Sequence, residues 1–424
     1  MNHSRRSFIN KAAIAAAMTP FAALSSFGQV YQEKVDATPK ASPPSDLKIT
    51  EIKCGYIRGS LFVKVYTNQG IWGCGEGVDA IPGTYHLVKN FEARLKNQNP
   101  LNVHRLFENI RRSGFFQGAQ SGMYVAVLSA IETALWDLAG KALNLPVYQL
   151  LGGKFRDKIR VYCDTALYQR NLPVPKDFAD AATKAKAMGF NAMKFDLDQA
   201  ADPNKYDFYN WTASPGELQR MYDQIAAARE AVGPKIDILV DMHGRYDAVT
   251  AQAVSKRLEP LNLLWLEEPI PAENVEAYKL ITESTSTPIA AGENHYLAYG
   301  FRRMLEIGAV DIVMPDLQKT GGLGEGQRIA NLANLYYTPF APHMVASFLG
   351  CMASAHVCAS VPNFLILEWQ SYFHTDPMFK EIVKYDGEWV KDSFITLSEK
   401  PGIGVEINEE GMKKYAIPGV PFFV

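Results

Sequence analysis

Apolar and polar positions change their period twice along this chain. From Leu47 to about Glu76 they alternate every second residue: Ile49, Glu51 and Lys53 against Thr50, Ile52 and Cys54. The run Leu61-Phe62-Val63-Lys64-Val65-Tyr66 follows, then an Asn68-Gln69-Gly70 turn. That period predicts a small antiparallel sheet. From about Tyr85 to Gly152 apolar residues recur at helical spacing, most clearly from Met123 to Leu143 before Asn144-Leu145-Pro146. A sheet followed by helices predicts an α+β module over residues 47–157.

After Lys158 strand-like and helix-like stretches alternate. Strands are predicted at 158–163, 191–195, 236–240, 263–266, 288–291, 312–314, 339–341 and 364–367. Helices fit between them at 177–188, 216–232, 249–258, 275–285, 300–307, 325–335 and 350–361. This α/β alternation over 158–384 predicts a closed parallel barrel of the TIM type. An open doubly wound sheet would carry a Gly-rich phosphate turn after its first strand, and none is present. Residues 385–424 return to short strand-like pieces rich in Pro and Gly, expected to pack on the N-terminal module.

The N-terminus reads differently. Ser4-Arg5-Arg6-Ser7-Phe8-Ile9 is a twin-arginine pattern, followed by an apolar stretch from Ala12 to about Leu24 and small residues at Ser25 and Ser26. Charged, apolar and small, in that order, is the signature of a signal peptide over 1–28, so a periplasmic location is expected. The apolar run falls short of the roughly 20 residues of a membrane span, and no stable span is expected in the mature form. Residues 29–46 read as a flexible linker. The net charge of −2 offers no basic field for nucleic acid, so binding must come from local chemistry. None of the five cysteines lies in a C-x-x-C pair. Cys54 and Cys74 fall on two candidate neighbouring strands and could form a disulfide, although buried free thiols are the better reading.

The chemistry gathers at the predicted strand ends. Asp241, Glu267 and Glu293 each close a strand and stand 26 residues apart, an interval that suits one βα unit. Three adjacent carboxylates repel unless a cation lies among them, and oxygen-only ligation selects Mg²⁺, with Mn²⁺ as the alternative. The strand ends Met314-Pro315-Asp316 and Ala341-Pro342-His343 would set a carboxylate beside a histidine, the arrangement of a general base. Leu367-Glu368-Trp369 adds another acid at the same mouth.

The order Glu-Glu-Pro, Ala-Gly-Glu, Met-Pro-Asp and a later His resembles the enolase superfamily, in particular its mandelate racemase branch. So do Glu132-Thr133-Ala134-Leu135-Trp136-Asp137-Leu138-Ala139-Gly140-Lys141 and Leu151-Gly152-Gly153, and the likeness covers nearly all the chain after the linker. The resemblance implies a modified (β/α)₇β barrel under an α+β capping domain, one Mg²⁺, and removal of a proton α to a carboxylate. It implies Asp241, Glu267 and Glu293 as metal ligands, Asp316 and His343 as the catalytic dyad, and Glu368 as the acid that hydrogen-bonds the enolate. It also implies a small carboxylate-bearing substrate and a homo-oligomer.

Two motifs separate this chain within the branch. Met193-Lys194-Phe195-Asp196 has Asp196 where many relatives carry a second lysine as a base on the opposite face, which argues against a two-base racemase. Lys194 remains a candidate contact for the substrate carboxylate, with a surface salt bridge as the bland alternative. Asp241-Met242-His243-Gly244-Arg245 resembles the sugar-acid dehydratases akin to D-galactonate dehydratase, in which that histidine protonates the departing 3-hydroxyl. Two residues along a strand return to one face, so His243 is expected beside Asp241; otherwise it merely supports a ligand. Lys194, Asp196, Arg245 and Glu368 are the expected substrate contacts. A polar loop over 198–214, with Tyr206, Phe208, Tyr209 and Trp211, and the extension Ser347-Phe348-Leu349-Gly350 are expected to set specificity. Arg111–Gly118 in the cap either closes over the site or forms a structural turn. The expected activity is dehydration of an aldonate or aldarate to a 2-keto-3-deoxy acid through an enediolate, with His343 as base and His243 as acid. An epimerase, racemase or cycloisomerase of the same superfamily is the alternative, and an exported protein that binds sugar acids without catalysis is a third.

Overall fold

In the cap, strands β1 (Ile49–Ile57), β2 (Ser60–Thr67) and β3 (Trp72–Gly77) form an antiparallel meander. Helices α1 (Tyr85–Leu95), α2 (Val103–Ser113) and α3 (Gly122–Leu143) follow. The computed structural model describes residues 46–167, 172–207 and 209–424. The expected signal peptide, the linker up to residue 45 and Phe208 lie outside them.

Helix α3 is long and apolar enough to cross a membrane, but it is buried and lies along β3. The reason is legible in β3, where Gly73, Gly75 and Gly77 share one face. A Cβ on Gly73 would fall 2.2 Å from Ala134 O, and one on Gly75 would fall 2.1 Å from Ala130 O. Only glycine lets the helix backbone rest directly on the strand.

All five cysteines are buried and unpaired. Cys54 and Cys74 are not on neighbouring strands, because β2 runs between theirs: Cys54 faces Val63 and Cys74 faces Lys64. Adjacent residues of β2 point to opposite faces, so the two thiols also lie on opposite sides of the sheet. The disulfide is excluded.

The barrel is built from β4 (Lys158–Asp164), β5 (Ala192–Asp196), β6 (Asp237–Asp241), β7 (Trp265–Glu267), β8 (Ile289–Ala291), β9 (Ile312–Val313) and β10 (Leu367–Gln370). They pair in parallel in the order β10-β4-β5-β6-β7-β8-β9. Outside them run α4 (Pro175–Ala187), α5 (Pro215–Val232), α6 (Ala248–Leu258), α7 (Val275–Thr282), α8 (Leu297–Glu306), α9 (Leu323–Leu335) and α10 (Phe348–Ser360). The seventh strand, expected at 339–341, shrinks to isolated bridges: Phe340 pairs with Val313 on one side and Phe364 on the other, and His343 pairs with Asp316. Pro339 and Pro342 flank Phe340 and Ala341; without N–H groups they cannot extend the ladder. The last strand, expected at 364–367, lies three residues later. The barrel is thus the modified (β/α)₇β form.

Residues 385–424 contact both the cap and the barrel. Ile403 N donates to Asp137 Oδ1 of α3 (2.8 Å), and Lys64 pairs with Glu409 (2.7 Å). Strand β11 (Phe394–Thr396) adds antiparallel to β4.

Candidate active site at the barrel mouth

The barrel interior is lined by Tyr162, Ala192, Leu239, Trp265, Ala290, Ile312, Met314, Ala341 and Ile366. Strand side chains alternate faces, so the residue two places on also points inward, nearer the C-terminal mouth. Those residues are Asp164, Lys194 and then Asp196, Asp241, Glu267, Asp316, His343 and Glu368. At β8 the inward slot is Gly292, with φ +147 and no room for a Cβ beside Phe301 (2.7 Å). The chain turns there, so Glu293 falls out of the alternation yet joins the ring.

Asp241, Glu267 and Glu293 offer carboxylate oxygens within 4.8 Å of one another. The donor set is all oxygen, as a hard divalent cation requires, and these residues fit the Mg²⁺ that the fold implies. Trp265 Nε1 donates to Glu267 Oε2 (3.0 Å) from the layer below. The second acid of the Glu-Glu-Pro motif is separate: Glu268 accepts from Asn294 Nδ2 (2.7 Å) and Gly292 N (3.2 Å), which ties down the turn that delivers Glu293. Burial, followed by the Glu293 charge, raises Glu268 to about 7.

Lys194 is no surface residue. It is 2% exposed, with Nζ 3.1 Å from Asp241 Oδ2, 3.1 Å from Glu267 Oε1 and 2.9 Å from Glu368 Oε1. Burial works to lower its pKa, but Glu267 and Glu368 outweigh it and hold the ammonium charged well above its usual range.

The neighbouring strand ends bring Asp316 and His343 together through a parallel bridge, with Oδ2 to Nδ1 at 2.9 Å. His343 Nε2 then faces Glu293 Oε2 at 2.9 Å and Glu368 Oε2 at 3.6 Å. Burial opposes charge on this ring, yet Glu293 and Glu368 raise its pKa well above the histidine value.

His243 also lies beside the cluster, by a different route from the one expected. Strand β6 ends at Asp241, and His243 stands beyond it in a turn at φ +46, its N–H bonded to Asp241 Oδ1 (2.8 Å). Its Nε2 is 3.7 Å from Asp241 Oδ2 and 3.8 Å from Asp196 Oδ1. The Asp241 charge is the main cause that lifts His243 to about 11. Asp196 is buried beside Asp164, and burial and that neighbour push it well above the usual carboxylate range. One of its oxygens, Oδ2, is buried without a hydrogen-bond partner among the described residues. Arg245 is exposed at the rim, its Nε 3.6 Å from Asp198 Oδ2.

Sequence reasoning missed three residues here. Asp164 and Gln370 end β4 and β10, and alternation from Tyr162 and Glu368 would have found both; Gln370 Nε2 donates to Glu368 Oε1 (3.1 Å). Asp198, whose Oδ1 lies 2.8 Å from His243 Nδ1, sits in an irregular loop and carries no periodic signal.

Buried acids of the cap hold the loops that follow the dyad. Glu132 of α3 accepts from Leu323 N (2.8 Å) and Gly324 N (2.9 Å), and Ser129 Oγ accepts from Gly321 N (2.8 Å). Glu76, on β3, accepts from Ser347 N (2.9 Å), Ser347 Oγ (2.6 Å) and Gly350 N (3.3 Å). Arg111–Ser113 form the last turn of α2 and Phe115–Gln117 a 3₁₀ turn; Arg111 pairs with Glu108 and lies over the Tyr299 ring, while Phe115 and Phe116 are exposed. The loop over 198–214 is braced by Asp202–Arg220 and Lys205–Glu217 pairs, with Tyr206, Tyr209 and Trp211 exposed.

Comparison with known proteins agrees with this geometry. Residues 42–152 match the mandelate racemase/muconate lactonizing enzyme N-terminal domain, and residues 177–411 match the enolase C-terminal domain-like family. The chain belongs to the mandelate racemase/muconate lactonizing enzyme branch of the enolase superfamily. It is 36% identical to the D-xylonate dehydratase of Haloferax volcanii over 395 residues, 92% of this chain and 94% of that one. It is 32% identical to the D-galactonate dehydratase of Variovorax paradoxus over 82% of this chain and 89% of that one. Among solved structures it resembles a mandelate racemase/muconate lactonizing enzyme-like protein from Rubrobacter xylanophilus, with a TM-score of 0.85 and 42% identity over 89% of this chain and all of that one. A putative dehydratase from Salmonella enterica gives a TM-score of 0.81 at 30% identity, covering 88% of this chain and 99% of that one.

Proposed function

We propose that this protein dehydrates a sugar acid, an aldonate or aldarate, to the 2-keto-3-deoxy acid. The observation that carries the reading is the pair of histidines whose Nε2 atoms face one carboxylate cluster from two sides. One base and one acid are what a β-elimination needs: a weakly acidic C2 proton must be taken, and hydroxide is a poor leaving group unless protonated.

Asp241, Glu267 and Glu293 would hold Mg²⁺. Bound there, the cation would polarise the substrate carboxylate and take up the carboxylate charge that otherwise keeps a proton on His343. His343, its Nδ1 hydrogen fixed by Asp316, takes the C2 proton at Nε2. Lys194 supplies a fixed positive charge toward the developing oxygen charge, and Glu368, when protonated, hydrogen-bonds the enediolate. His243 gives its proton to the 3-hydroxyl, which leaves as water. The resulting enol gains a proton at C3 and loses one from its C2 oxygen. Asp196, whose Oδ1 lies 3.8 Å from His243 Nε2, is the proposed contact for a substrate hydroxyl. A two-base racemase is less well served, because Asp196 stands where its second lysine would be.

The relatives' names favour aldonates. The test is a panel of aldonic and aldaric acids, D-xylonate and D-galactonate among them, incubated with Mg²⁺ and protein lacking residues 1–28. Formation of a 2-keto acid supports the reading. Silence across the panel, or epimerisation without water loss, counts against it. We also propose export by the twin-arginine segment, which cell fractionation before and after Arg5 and Arg6 are replaced by lysine would test.

A further inference from the structure

Both histidines at the mouth are backed at Nδ1 by a carboxylate. For His343 the partner is Asp316, on the adjacent strand end. For His243 it is Asp198, in the loop after β5. We propose that Asp198 is a positioning residue that makes His243 the proton donor to the departing hydroxyl, as Asp316 makes His343 the base. The proposal rests on the dehydratase reading above.

A carboxylate accepts hydrogen bonds and donates none when ionised, so Asp198 keeps a hydrogen on Nδ1 and leaves Nε2 to exchange protons. That Nε2 faces Asp241 and Asp196 at 3.7 and 3.8 Å, beyond hydrogen-bond reach of either. The Nε2 edge of the ring therefore faces the carboxylates of the site without a hydrogen bond to them. That orientation needs support. His243 adopts φ +46, where its β-carbon is crowded, and such a residue persists only when its surroundings over-determine it. The His243 N–H to Asp241 Oδ1, Gly244 N–H to Glu268 O (2.6 Å) and the Asp198 contact are the tethers.

Asp198 is itself fixed by the barrel. Its neighbour Leu197 donates to Asp241 O (2.9 Å) and accepts from Arg220 Nη2 (3.0 Å). The loop that carries Asp198 is thus tied to the end of β6, the strand that leads into His243. In the assisted step the C3–O bond breaks with its electron pair on oxygen. That oxygen takes the His243 proton, and the electrons left at C2 form the C2=C3 bond. The proton removed from C2 stays on His343 until it passes to solvent.

The test is run in D₂O with Mg²⁺ and whichever aldonate the wild type turns over. Exchange at C2 and 2-keto acid formation are measured in the same sample, so the amount of folded protein cancels from their ratio. Asp198→Asn and Asp198→Ala are expected to dehydrate slower by on the order of 100-fold, with KM changed little and C2 exchange retained. Asp198→Glu should recover part of the loss. Variants that dehydrate at the wild-type rate, or lose exchange and dehydration in equal proportion, overturn the inference alone. A wild type that dehydrates no aldonate overturns it together with the dehydratase reading.

Discussion

Glu76 gives a prediction whose sign runs against the usual behaviour of a hydrogen-bonded carboxylate. It accepts three hydrogen bonds from Ser347 and Gly350, which favour its ionised form, but burial outweighs them and raises it from 4.5 to about 7. A folded-state pKa above the unfolded value means stability that is full below pH 4.5 and lost as pH rises through about 7. With those two values, the penalty grows from about 1 kcal/mol at pH 5.5 to about 3 kcal/mol at pH 8.5. Glu76→Gln stays neutral throughout and differs otherwise by a constant. Chemical denaturation of both proteins at a series of pH values should therefore show the wild type losing about 2 kcal/mol relative to the variant between pH 5.5 and 8.5. Parallel curves would refute the reasoning. A wild type that gains on the variant as pH rises would refute it more strongly, because the three donors would then dominate.

Two further outcomes follow from the carboxylate ring. In the wild type, Mg²⁺ at about 100 times its dissociation constant should stabilise the fold by about 2.7 kcal/mol, and Glu267→Gln should abolish the rise in melting temperature that Mg²⁺ brings over EDTA. Lys194→Met removes the ammonium bridging Asp241, Glu267 and Glu368; in EDTA it should cost roughly 3–5 kcal/mol, part of which Mg²⁺ restores, and equal melting of variant and wild type in EDTA would contradict that account.

Much of the fold was legible because two periods write it. Alternation located the β1–β3 meander, and the strand–helix alternation located the barrel and the strand ends that carry Asp241, Glu267, Asp316, His343 and Glu368. Where local chemistry overrides the period, the reading slipped. Prolines 339 and 342 reduce a stave to isolated bridges, and the last strand starts at Leu367 instead of Phe364. Cys54 and Cys74 looked adjacent because both fall in strands, but only the pairing order reveals β2 between them. Lys194 could not be told from a surface lysine by sequence alone, since its burial depends on three other strands closing around it. Glu132 and Glu76 were visible as residues, while their hold on loops 191 and 271 positions away was not. Asp198 has no periodic mark, because its place beside His243 comes from an irregular loop meeting a left-handed turn.

The central claim is a division of labour between two histidines, and one paired measurement reaches it. His343→Asn and His243→Asn are each incubated in D₂O with Mg²⁺ and the aldonate that the wild type dehydrates, and C2 exchange and 2-keto acid are followed together. The account predicts that His343→Asn loses both, whereas His243→Asn still exchanges C2 but forms no 2-keto acid. Dehydration that survives either substitution, or C2 exchange that survives without His343, would contradict it.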